Sequence, residues 1–121
     1  MPTWVDHLYL AHTLLELFLG LIKLRGRYQH EAPGSKAPRS EMYTRHHGCT
    51  ILALALLGFF VWYDSATDTR HGTQSSAVLA LFHGGATLSF LYAYLHGAIP
   101  FGKVCMPHGP FAVAFLAHAV M

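Results

Sequence analysis

Four apolar stretches, at residues 4–24, 42–63, 75–99 and 104–121, alternate with three polar connections along the chain. Each approaches the roughly 20 residues that a helix needs to cross about 30 Å of hydrocarbon. The interiors of the middle two, 51–63 and 77–95, carry no Lys, Arg, Asp or Glu on any face. A helix of a soluble bundle would set an apolar stripe against a charged one. The pattern therefore predicts an all-α integral membrane protein, with one four-helix transmembrane domain over residues 1–121.

The connections predict the orientation. Of the eight Lys and Arg residues, Lys23, Arg25, Arg27, Lys36, Arg39 and Arg45 lie at or between the first two stretches. Lys103 lies between the third and fourth, and Arg70 alone falls on the opposite side. That asymmetry places loop 25–41 on the cytoplasmic or equivalent face and both termini opposite, in the endoplasmic reticulum or another organelle or inner membrane. Within the loop, Pro33, Gly34 and Pro38 forbid a continuous helix and predict an extended basic segment at the lipid headgroups. Connection 64–74 offers Ser65 or Thr73 as helix caps. Connection 97–109 holds Pro100, Gly102, Pro107 and Gly109, which predicts a tight turn. Trp4, Trp62 and Tyr63 lie at the ends far from the basic loop, as an aromatic belt requires.

Composition narrows the partners. The chain is 53% hydrophobic and 12% charged, about half the usual charged share. Its net charge of +2 is accounted for by membrane orientation, so no nucleic-acid partner is expected. Cys49 and Cys105 fall near the basic side, where a reducing compartment would keep them as thiols. No basic region precedes the first stretch, which reads as a retained helix rather than a signal peptide. In the third stretch Gly85, Ser89, Ala93 and Gly97 recur every fourth residue, beside Ser76, Ala80 and Gly84. Small residues let helices approach closely in lipid. The expected partners are the bilayer and other membrane proteins, or a second copy of the chain.

Ten histidines are the chemical feature of the chain. By depth, His12, His83 and His118 share one level, with Glu16 one turn from His12 on the same helix face. His46, His47, His96 and His108 are expected at the basic side. Neutral imidazole is a ligand for transition metals and haem, and Glu16 could orient it. Gly84 and Gly85 would let a flat macrocycle approach the backbone. Structural pairing of His12 with Glu16, a small-ligand or proton-handling site, and a haem b or metal site all remain open. A two-haem wire is disfavoured, because His83 and His96 are separated by about 140° around the helix. The sequence contains no HExxH, CxxC, GxSxG or glycine-rich phosphate loop, so no catalytic residue is assigned.

The run Arg45-x-x-Gly48 opening the second stretch, followed by Phe82-His83-x-Gly85 in the third, resembles the ergosterol-biosynthesis scaffold family. The likeness covers about residues 40–100. It implies a four-pass protein that organises membrane enzymes in the endoplasmic reticulum without catalysing a reaction. The leading expectation is thus a non-catalytic accessory or scaffold protein. The alternative is a haem- or small hydrophobic ligand-binding membrane protein, an isomerase-like enzyme among the options, built on His12, Glu16, His83 and His118.

Overall fold

Hydrogen bonding at the helix ends explains where the first and third helices of the computed structural model begin. The structure describes residues 2–25, 38–102 and 107–121, and only the backbone of 38–43. The first helix, α1 (Trp4–Leu24), opens on a capping box. The Thr3 hydroxyl accepts from the Asp6 N–H, and the Asp6 carboxylate accepts from the Thr3 N–H at 2.6 Å. Two backbone donors are satisfied, and a negative charge sits at the positive end of the helix dipole. The second helix, α2 (Pro38–Tyr63), starts four residues earlier than the apolar pattern does, since proline in a first turn loses no hydrogen bond.

The third helix, α3 (Arg70–Leu95), is shifted toward the N-terminus relative to the 75–99 stretch. Thr69, rather than Ser65 or Thr73, caps it by accepting from the Gly72 N–H. Its far end closes in a Schellman turn. Gly97 adopts φ +72°, its N–H donates to Tyr94 O, and the Ala98 N–H donates to Ala93 O. Gly97 thus terminates the helix instead of extending the small-residue ladder. The fourth helix, α4 (His108–Val120), has only 13 residues, or about 20 Å. Three helical segments, Trp4–Leu24, Thr44–Tyr63 and Arg70–Leu95, are long and apolar enough to cross a membrane, whereas α4 is shorter. Residues 26–37, Lys103 and Cys105 lie outside the described residues, and so do most of the expected basic loop 25–41 and the second thiol; residues 38–41, expected to be extended, are helical. Cys49 is an exposed free thiol.

Two antiparallel hairpins result, α1 on α2 and α3 on α4. In the first, Gly48 lets the backbones meet: a Cβ there would lie 3.1 Å from Gly20 O and 3.0 Å from Leu24 N. α1 and α3 stand diagonally with their backbones apart, and side chains of α1 such as Tyr9 and His12 reach across to α3. Val5, Tyr9, Val61, Leu79 and Phe115 form the apolar core between the hairpins. The Thr67 hydroxyl donates to Asp6 Oδ1 at 2.6 Å and ties the α2–α3 turn to the start of α1. Gly72 packs so tightly under that turn that a Cβ would run into the carbonyls of Ala66 and Thr67. Gly72→Ala is therefore expected to destabilise the protein by about 1–3 kcal/mol in a detergent melt. Gly85→Ala, with nothing within 4 Å of the new methyl group, should leave the melt unchanged or raise it.

Candidate functional site

Matching spacings on α1 and α3 build the polar centre. The buried faces run Val5, Tyr9, His12, Glu16 on one helix and Gly72, Ser76, Leu79, His83 on the other, both at 4-3-4 intervals. That interval keeps side chains on one stripe of a helix. The two stripes face each other across the diagonal, so polar residues at equivalent positions converge. α4 contributes a third stripe, His108, Phe111, Phe115 and His118.

The convergence forms two layers with different fates. In the outer layer the Tyr9 hydroxyl donates to Gly72 O at 2.8 Å. Tyr9 has no second proton, so at the 2.8 Å contact Ser76 donates to the Tyr9 oxygen. The Ser76 oxygen then accepts from His118 Nδ1 at 2.7 Å. Every proton in this chain has one acceptor. His118 belongs here, packed edge-on to Trp4 and Tyr9, and not with His12 and His83 as its depth suggested. The buried Phe115 ring divides the layers, with its centroid 5.2 Å from Tyr9 and 5.1 Å from His12.

The inner layer contains His12, Glu16 and His83, each with no exposed surface. One ligating atom from each lies within 4.8 Å of the others. Both nitrogens of His12, both oxygens of Glu16, His83 Nε2 and the neighbouring Thr13 hydroxyl lack any hydrogen-bond partner. His12 and Glu16, although one turn apart, do not satisfy one another. His83 Nε2 stands 3.8 Å from Glu16 Oε1, beyond hydrogen-bond range. A buried polar atom without a partner costs about 1–3 kcal/mol, so the layer carries a substantial energetic load. α2 makes room for it with Gly58, where a Cβ would lie 2.8 Å from Thr13 Oγ1 and 3.2 Å from His12 Nδ1.

His108 was not expected in this layer. Its Nδ1 lies 2.9 Å from Nδ1 of His83, one ring donating and the other accepting. The short α4 explains this. It pairs with the N-terminal half of α3, setting His108 against His83 and His118 against Ser76, rather than starting at the basic side. The i, i+3, i+7, i+10 spacing of His108, Phe111, Phe115 and His118 was the available clue. Of the other histidines expected at the basic side, His47 Nδ1 accepts from Lys23 at 3.0 Å, and His96 Nδ1 donates to Tyr92 O at 2.8 Å. Gly84, Gly85, Ser89 and Ala93 line a different part of α3, and a Cβ on either glycine would meet nothing within 4 Å. An open cleft of about 490 Å³ at the aromatic end, lined by Thr3, Asp6, Trp62 and Thr67 among others, contains none of the four inner-layer residues.

Compared with protein-family models, curated proteins and solved structures, the chain matches none.

If the inner layer is kept for a ligand rather than for folding, an apolar replacement should relieve it. Glu16→Leu is expected to stabilise the ligand-free protein by about 1–4 kcal/mol, read as a higher melting temperature with chelator present.

Proposed function

We propose that this chain is an integral membrane protein acting as a non-catalytic accessory or scaffold subunit. It would pack through the open face of α3 against transmembrane helices of partner membrane proteins. Inverted polarity carries this reading. His12, Glu16, Ser76, His83 and His118 are inside, while large apolar side chains such as Leu81 (79% exposed), Leu95 (70%) and Phe18 (62%) cover the outside. In water such a surface is an aggregation hazard, and in lipid it is the solvated face. Outward hydroxyls also bond back to their own helices, Ser89 to Gly85 O at 2.9 Å and Thr50 to His46 O at 3.3 Å. Those donors need no water.

The docking half of the proposal rests on the shortness of α4. Past the level of His108, α3 continues without a companion from α4 and presents Gly85, Ser89 and Ala93. Close helix approach in lipid uses such residues. The resemblance of residues 40–100 to the ergosterol-biosynthesis scaffold family points the same way. On this reading the basic connection faces the cytoplasm or its equivalent.

A second reading, ligand binding at the inner layer, is favoured by its partnerless atoms. The surroundings of His83 suit something smaller than haem. The rings of His108, Phe111 and Phe115 stand 5.1, 5.2 and 6.2 Å from it, which leaves no slot for a macrocycle.

Two experiments test the leading proposal. In a background freed of Cys49 and Cys105, single cysteines replacing Arg25 and Asp68 should label from opposite faces of a sealed vesicle. Labelling from one face would overturn the topology. Gly85→Leu should leave the melting temperature unchanged and abolish recovery of partner proteins from mild detergent. Recovery of this chain alone, or full retention of partners by the variant, would count against the docking face.

A further inference from the structure

We propose that His12, Glu16 and His83 bind one first-row divalent transition-metal ion, and that His108 positions His83 for it. This goes beyond the accessory reading and stands or falls separately from it. All three side chains are fully buried, and each offers an atom with no other partner. Their ligating atoms lie within 4.8 Å of one another. Around a tetrahedral zinc ion with bonds of about 2.0–2.2 Å, ligand atoms stand about 3.4 Å apart. The 3.8 Å between His83 Nε2 and Glu16 Oε1 is thus close to a coordinating separation, and rotation of side chains would close it.

The donor types choose the ion. Two imidazoles and one carboxylate suit zinc, iron(II), cobalt or nickel. Calcium and magnesium favour all-oxygen shells, and copper(I) favours sulfur. The outer partner fits as well. A histidine that ligates through Nε2 usually donates its Nδ1 proton to an acceptor, which holds the tautomer and the ring plane. His108 Nδ1, 2.9 Å from His83 Nδ1, is in that place. With His83 donating there, the lone pair on its Nε2 points toward Glu16 Oε1, itself an acceptor without a donor. A cation resolves that meeting of lone pairs. Phe111 closes the site, its ring 5.4 Å from His12 and 5.2 Å from His83. Three protein ligands leave at least one coordination position for a non-protein ligand.

The test uses the full chain in detergent or nanodiscs, stripped with chelator and then titrated with zinc or cobalt(II). About one ion per chain should survive desalting, and cobalt should give the visible absorption of a low-coordinate site. His108→Phe should weaken binding by roughly 10- to 100-fold, and His12→Ala, Glu16→Gln and His83→Ala by more. His96→Ala and His46→Ala should bind as the unaltered protein does, which separates the site from loose histidine binding. Glu16→Gln changes charge without volume, so it keeps the test decisive even where a histidine variant misfolds. Zinc should raise the melting temperature of the unaltered chain and not that of Glu16→Gln. Loss of zinc from the unaltered chain on desalting, or equal binding by Glu16→Gln, would overturn the proposal.

Discussion

A polar atom buried among apolar side chains must find its partner inside the protein, and this molecule is organised by that constraint. Where it is met, the two hairpins are joined. Asp6 collects hydrogen bonds from Thr3 and from Thr67, and His118, Ser76 and Tyr9 form a chain of hydrogen bonds directed to Gly72 O. Where it is not met, at His12, Glu16 and His83, the fold tolerates partnerless atoms at its centre. Folding alone gives no reason to keep them, because apolar residues of similar volume would pack there at less cost.

The short α4 divides the molecule into two working regions. Over the N-terminal half of α3 it supplies Phe111, Phe115 and His108, which wall in the inner layer and hold His83. Beyond His108 it is absent, and α3 turns Gly85 and Ser89 outward with their neighbourhood open. A closed polar centre and an open small-residue face therefore share one helix. In the proposed reading the first region holds an ion and the second meets a partner. Substitutions in one region need not disturb the other.

The helices themselves were legible from hydrophobicity, because apolar runs of that length have few other ways to satisfy their backbones. Their ends were less so. Gly97 looked like a rung of the α3 ladder, yet its positive φ makes it the stop. Thr69 took the cap from Ser65 and Thr73 because its hydroxyl alone faces the Gly72 N–H. The His12–Glu16–His83 grouping followed from equal depth in facing helices. His108 stands beside His83 where His118 was expected, and His118 lies farther out against Ser76, since depth reckoned from the chain ends assumes a full-length fourth helix.

The amino-acid order alone determined the helical class, the apolar lengths and the placement of charge, all of which follow from local geometry and from the spacing of polar residues along the chain. Only the tertiary structure decided the register between hairpins. Register depends on a few long-range contacts, such as Tyr9 with Ser76 and His83 with His108, that the periodicity within each helix does not specify. Those contacts determine which of the histidines among the described residues meet, and hence where the proposed ion site lies.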